Sequence, residues 1–173
     1  HGEASLNAAI VGLAQNYVGS NNINLFQPNG QFGTRLQGGK DSASERYIFT
    51  HLHPITRSIF RQDDDAILKY LDDDGSPVEP IHYCPIIPMI LVNGSRGIGT
   101  GWSTNIPSYN PLDLIECVKI WLNNDMKPFD QDGNIFILIF PEIKPWYRGY
   151  TGEIVKGKEG KYVSWGRVET LEK

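Results

Sequence analysis

The sequence predicts a mixed fold: an α+β first half with a wing-like loop, then a separate α/β layer. Three observations lead there. Apolar residues recur at helical spacing in "HGEASLNAAIVGLAQNYV" and "LDLIECVKIWLNN". β-Branched and aromatic residues crowd "YIFTHL" and "NIFILIF", as strands require. Clusters of glycine and proline separate these runs.

In the first run Leu6, Ile10, Leu13 and Tyr17 form an apolar stripe, widened by Ala9, Ala14 and Val18. Gly19 and Asn21-Asn22 stop the helix. "INLFQPNGQFGTRLQGG" reads as a strand, a turn at Pro28-Asn29-Gly30 and a glycine-rich loop. Ser42 with Glu45 has capping-box spacing, so a short helix is expected there. "YIFTHL" follows as a strand, and Pro54 suits the first turn of a helix "PITRSIF".

Prolines at 80, 85, 88, 107 and 111 rule out a long helix through the middle of the chain. Ile86 to Val92 is a buried-strand candidate, and "NGSRGIGTGWST" a turn-rich tongue. Asn110-Pro111 supplies an N-cap and a proline at the first position of the next helix. "NIFILIF" reads as a strand and "GEIVKGKEGKYVSWGRVETLE" as a hairpin. No internal repeat or low-complexity segment is evident.

The chain has 173 residues and a formal net charge of −4. It carries no signal peptide and no apolar run long enough for a bilayer, so a soluble protein is expected. It opens at His1 on the helix itself and reads as part of something longer. Cys84 and Cys117 stand far apart with no zinc spacing, which fits a reducing compartment. The negative total hides a local asymmetry. Arg35, Lys40, Arg46, Arg57 and Arg61 outnumber Glu3, Asp41 and Glu45 up to position 61, while acid concentrates in "DDDAILKYLDDDGSPVE". Phosphate responds to the local patch, not the total. The aspartate runs read as solvated charge, because hard-cation sites need several converging oxygens.

Two features suggest chemistry. In "GGKDSASERYIFT" Arg46 directly precedes Tyr47. A phenol, with a reference pKa of about 10, is a nucleophile only with help in losing its proton. Attack on a DNA phosphodiester is its most characteristic use, and a neighbouring guanidinium stabilises the extra charge of that transition state. A buried core tyrosine remains the other reading. In an extended chain Arg46 and Tyr47 point to opposite faces, so convergence needs a kinked backbone. The second feature is Ile98, held between glycines in the tongue. An exposed apolar residue there acts as a wedge between base pairs; a buried hairpin tip is the alternative. The start of the first helix, at His1-Gly2-Glu3 with Ser5, suits a phosphate, the alternative being a plain N-cap with a solvated histidine.

"HGEASL…GLAQN", "PNGQFGTRLQGGKDSASERYIFT" and "PIIPMILVNGSRGIGTGWSTNIP" occur in that order. Together they resemble the DNA breakage-reunion core of eukaryotic type IIA DNA topoisomerases, nearly without gaps from His1 to about Leu122. The resemblance implies a winged-helix (helix-turn-helix, CAP-like) region over 1–88, lacking its N-terminal part. The start of an α/β tower domain over 89–173 would follow. It implies that Tyr47 is the nucleophile, joined to a DNA 5′ end, that Arg46 stabilises the transition state, and that His1 lies beside the scissile phosphate. It makes Ile98 the intercalating residue and Ser5, Arg35, Lys40 and Arg96 DNA contacts. Arg96 departs from the acidic residue of many relatives. Mg²⁺ and ATP are implied for the full-length enzyme, both bound outside this chain, together with a homodimer, double-stranded DNA as partner and a nuclear location. The isolated chain is expected not to cleave DNA unaided. A non-catalytic winged-helix DNA-binding or interaction module is the alternative reading.

Overall fold

The structure, a computed structural model, describes residues 1–123 and 140–171. The described chain mixes helices with strands. It forms two compact units: His1–Tyr17 with Ile23–Met89, and Val18–Asn22 with Ile90–Lys173. The chain therefore leaves the first unit after its opening helix, contributes five residues to the second, and returns.

In the first unit, α1 (Glu3–Ala14) is shorter than the periodicity suggests. It ends where the Gln15 backbone turns extended, so Tyr17 lies beyond it. The stripe is also rotated. Leu6 is 62% exposed, and the helix meets the core through Val11 and Ala14. Ala14, Phe32 and Ile48 form that core, with Val11, Phe26 and Ala43 packed around it. The small Ala14 side chain lets Phe32 and Ile48 approach the helix closely.

The strand expected ahead of the 28–30 turn and the strand expected at "YIFTHL" (47–52) meet only as isolated antiparallel bridges, Phe26 with Leu52 and Asn29 with Phe49, and Tyr47 belongs to a 3-10 turn instead. Pro28 explains the broken ladder, because it has no N–H to donate. Asn29 N–H donates to the Phe49 carbonyl (3.0 Å) and Phe49 N–H returns the bond (3.0 Å). The Thr50 hydroxyl donates to the Gln27 carbonyl at 2.8 Å. The turn expected at 28–30 is thus extended chain, and the reversal lies further on, within 35–41. Helix α2 (Thr56–Ile59) follows Pro54 and is tied back by the Thr56 hydroxyl, which donates to the Leu25 carbonyl at 2.6 Å.

The acidic stretch contains a hairpin that charge alone concealed: β1 (Tyr70–Asp73) against β2 (Ser76–Pro80). Asp74 (φ 50°) and Gly75 (φ 84°) turn it. Paired positive φ angles are what a two-residue hairpin turn of the Asp-Gly kind requires.

Ile86–Val92, which runs from the first unit into the second, is not a strand. Residues Met89–Asn93 form helix α3, with Val92 fully buried. Pro88 both presets helical φ and spoils a ladder, and an apolar run this short carries no usable period. The tongue is a hairpin of β3 (Ser95–Gly99) and β4 (Trp102–Ile106). Helix α4 (Pro111–Asn123) starts as expected, the Asn110 side-chain oxygen accepting the Leu112 N–H at 3.0 Å. The hairpin expected near the C-terminus is β5 (Glu153–Lys156) against β6 (Tyr162–Trp165). The strand expected at "NIFILIF" lies outside the described residues but for Phe140. Among the described residues the sheets are local antiparallel hairpins.

Asn22 organises this unit. Its side-chain amide donates to the carbonyls of Val92 (2.9 Å), Tyr109 (3.1 Å) and Trp146 (3.0 Å), and its oxygen accepts the Arg148 N–H (2.9 Å). The residue is 5% exposed, so these backbone groups have little water to turn to. Unmet buried polar groups cost about 1–3 kcal/mol each. Asn22→Ala should therefore lower stability by roughly 3 kcal/mol in urea unfolding followed by tryptophan fluorescence. Asn22→Asp should cost more than Ala, because a carboxylate would face three carbonyl oxygens. An Asp variant as stable as wild type would contradict the donor assignment.

Candidate nucleic-acid interface

Tyr47 closes a single 3-10 turn, Glu45–Tyr47, whose N-cap is Ser44. The expected capping box is not made; no side chain caps this turn. A 3-10 turn spaces successive side chains about 120° apart rather than on opposite faces. The turn thus supplies a kinked backbone at Arg46 and Tyr47 in place of the extended chain. Ile48, next in sequence, is 9% exposed and belongs to the core, while Tyr47 is 72% exposed. The core reading of Tyr47 is excluded. Both Tyr47 and Arg46 are exposed, and among the described residues no hydrogen bond or ion pair engages the Tyr47 hydroxyl or the Arg46 guanidinium.

Upstream, residues 31–43 form a closed loop. The Ala43 N–H donates to the Gln31 carbonyl (2.9 Å) and the Gly39 N–H to the Thr34 carbonyl (2.9 Å). Asp41 accepts twice from Thr34, from its N–H (2.8 Å) and its hydroxyl (2.8 Å). The Thr34 N–H, opposed by desolvation and helped by the Thr34 hydroxyl, holds the Asp41 carboxyl below the usual carboxylate range. A depressed pKa means this bond is intact above the unfolded value, about 3.9, and lost only as pH falls through the lower folded one. At neutral pH the loop is closed. Gln15 braces it from the end of α1, donating to the carbonyls of Phe32 (2.9 Å) and Gly39 (3.2 Å). Close approach requires the glycines: a Cβ on Gly39 would sit 2.5 Å from the Gln15 amide nitrogen, and one on Gly33 2.6 Å from Gly39 Cα. The loop displays Arg35 and Lys40, both exposed.

Of the five basic residues that made the first half look cationic, two drop out. Arg57 pairs with Asp65 (2.6 Å) and Arg61 with Asp63 (2.6 Å). Arg35, Lys40 and Arg46 remain, among the described residues, without ion pairs.

His1 and Ser5 are exposed at the open end of α1, where Gly2 is the N-cap and no side chain occupies the free N–H groups. Asn7, Ile10 and Val11 of α1 line an open cleft of about 190 Å³ together with Glu45, Ile48 and Phe49. The helix bearing His1 and Ser5 and the turn bearing Tyr47 thus border one cleft.

In the second unit, pairing in the tongue sets Ile98 opposite Ser103 and Arg96 opposite Asn105. Directly opposed residues and their i±2 neighbours share a face. Ile98, 87% exposed, therefore stands on one face with Arg96, Ser103 and Asn105. Trp102, 85% exposed, lies opposite Gly99 on the other face. The buried-tip reading of Ile98 is excluded. Sequence reasoning passed over Trp102 and the 74%-exposed Phe49. An aromatic beside a two-residue turn, or in alternation with the buried Ile48, was the available signal.

Among the described residues no group of three or more His, Cys, Asp or Glu side chains converges as a metal site. None of the described helices is long and apolar enough to cross a membrane.

The family model for the A-type subunit of DNA gyrase/topoisomerase IV matches residues 1–173. DNA topoisomerase 2 of Arabidopsis thaliana is 57% identical over 163 residues, covering 92% of this chain and 10% of the relative. The Drosophila melanogaster DNA topoisomerase 2 is 48% identical over 171 residues, covering 99% and 11%. The chain spans about a tenth of the length of these curated relatives. In structure it is similar to the Plasmodium falciparum topoisomerase II DNA-binding, cleavage and re-ligation domain. The TM-score is 0.86 and the identity 45%, over 99% of this chain and 22% of that one. On these grounds the chain belongs to the DNA gyrase/topoisomerase IV family, among the eukaryotic type II DNA topoisomerases.

Proposed function

We propose that this chain supplies the nucleophile and the DNA wedge of an ATP-dependent type IIA DNA topoisomerase. The observation that carries the reading is the exposed Tyr47, next in sequence to Arg46, which has no ion pair among the described residues, on a turn anchored by Ile48. In the proposed step the Tyr47 oxygen attacks a DNA phosphorus atom and gives its proton to water or a base. The bond from phosphorus to the 3′ oxygen breaks, and that oxygen takes a proton from water or the protonated base and leaves as a hydroxyl. The 5′ end is then held as a phosphotyrosine, and reversal reseals the strand. Arg46 stabilises the extra negative charge on the phosphoryl oxygens, where a guanidinium binds best. His1 and Ser5, at the free N–H groups of α1, hold the neighbouring phosphate. Two such subunits in a homodimer would cut both strands and pass a second duplex through the gap, inside the nucleus. Mg²⁺ and ATP would be held by other parts of the parent, as the resemblance to type IIA topoisomerases implies.

The tongue supports the same reading. Ile98 is an apolar wedge backed on its own face by Arg96, Ser103 and Asn105, which suits insertion at a base step with phosphate close by. Arg35 and Lys40 add phosphate contacts from the loop.

In the full-length parent, Tyr47→Phe should abolish protein–DNA adducts on denaturing gels and leave duplex affinity within about threefold, because only the nucleophile is lost. Adducts persisting in the Phe variant would refute the assignment and favour a non-catalytic DNA-binding module. Arg46→Ala should slow cleavage by about 10²–10³-fold, the range for losing one transition-state charge contact.

Ile98→Ala should reduce DNA bending and cleavage while melting temperature stays within a few degrees, because an exposed side chain gives up almost none of the roughly 2–5 kcal/mol that a core isoleucine would. A large fall in melting temperature with unchanged bending in a fluorescence-transfer assay would rule out the wedge.

A further inference from the structure

Tyr47 has two neighbours in sequence that could hold it still, and they are held differently. On its C-terminal side Ile48 is locked in the core with Ala14 and Phe32. On its N-terminal side Ser44 makes no cap, and its hydroxyl reaches only the Glu45 carboxylate at 3.4 Å. The nearest ties upstream are Ala43, which packs against the edge of the core and donates its N–H to the Gln31 carbonyl, and the double bond of Asp41 to Thr34. Between Thr34 and Asp41 runs a segment containing Gly38 and Gly39, whose backbone has large freedom when released. Closing it across only seven positions costs little chain entropy, so one two-pronged contact suffices to shut it.

We propose that Asp41 and Thr34 are positioning residues for DNA cleavage: their clasp closes the 31–43 loop and so fixes the N-terminal side of the turn that presents Tyr47. The inference rests on the reading of Tyr47 as nucleophile. Both Asp41 oxygens are engaged by Thr34, at 2.8 Å each, so the carboxylate acts through the shape of its hydrogen bonds and not through its charge. That distinction can be tested, because an amide has nearly the same shape. In Asp41→Asn the side-chain oxygen still accepts the Thr34 N–H, and the new NH₂ donates to the Thr34 hydroxyl oxygen. A charge role, as metal ligand or proton carrier, would not survive the same change. Serine at 34 keeps the hydroxyl; valine removes it and keeps the size.

The experiment uses the full-length parent enzyme, single-turnover adduct formation at saturating duplex DNA, and duplex affinity measured separately. Asp41→Ala should slow adduct formation by about tenfold or more, since small misplacements of a reacting group cost this much, with affinity within about threefold. Asp41→Asn and Thr34→Ser should stay within about threefold of wild type, and Thr34→Val should fall between Ser and Asp41→Ala. An unchanged rate in Asp41→Ala overturns the proposal. So does an Asn variant as slow as Ala, which would mean charge, or a loss confined to affinity, which would make the loop a binding element only. If Asp41→Ala does not fold, the Thr34 pair decides: equal rates for Ser and Val overturn it. Tyr47→Phe run alongside separates the two levels. Adducts in that variant sink the nucleophile reading. Their absence, with Asp41→Ala at the wild-type rate, sinks only the clasp.

Discussion

The contact on which the first unit depends is the packing of Ile48 against Ala14 and Phe32. It joins three distant stretches of sequence: the last turn of α1, the approach to the glycine-rich loop, and the residue after Tyr47. Burial of an aliphatic side chain contributes on the order of 2 kcal/mol, and the same act orients its neighbours. With Ile48 inward, Tyr47 and Phe49 turn outward. With Phe32 inward, residues 33–41 must leave the core as a loop and return. The exposed tyrosine is thus a consequence of a buried isoleucine, which is why a large aromatic can stand in water without a partner of its own.

Few other side chains are buried deeply, so polar ties take over where packing is thin. Asn22 is the clearest case, one amide joining the segments at Val92, Tyr109, Trp146 and Arg148. Gln15 and Asp41 do equivalent work around the loop. Such contacts are directional. They set geometry more firmly than they add stability, because each net hydrogen bond is worth only about 1 kcal/mol. On the proposed reading a phosphodiester is the target, and such a step needs that geometry, since the gain in rate comes from holding groups where charge develops.

Charge is distributed to the same effect. The chain is net negative, yet acid at 63 and 65 is matched to Arg61 and Arg57, and acid at 72–74 ends a hairpin. Among the described residues, the three cations around the loop and Tyr47, Arg35, Lys40 and Arg46, are left unmatched. Exposed pairs of this kind stabilise little. Their effect is to take two arginines out of the surface available to phosphate and to leave three cations in place.

The sequence alone determined what depends on neighbours in the chain. The helix after Asn110-Pro111, the turn-rich tongue and the final hairpin are legible because caps, prolines and glycines act locally. The motif order, Arg46-Tyr47 above all, points to the family without any knowledge of the fold. Tertiary structure decided the rest. Whether Tyr47 and Ile98 are buried cannot be read from their neighbours, because burial depends on Ala14, Phe32 and the tongue's strand register. Ile86–Val92 resembles a strand since seven apolar residues have no distinguishing period, and Pro88 makes part of them a helix. The run before Pro28 and the run "YIFTHL" are legible as extended chain, but a proline reduces their pairing to bridges. Gln15, Asn22 and Asp41 carry no signal in the sequence for one reason: a polar side chain reveals its work only when the carbonyls and N–H groups it serves, up to 126 positions away, are brought beside it by the fold.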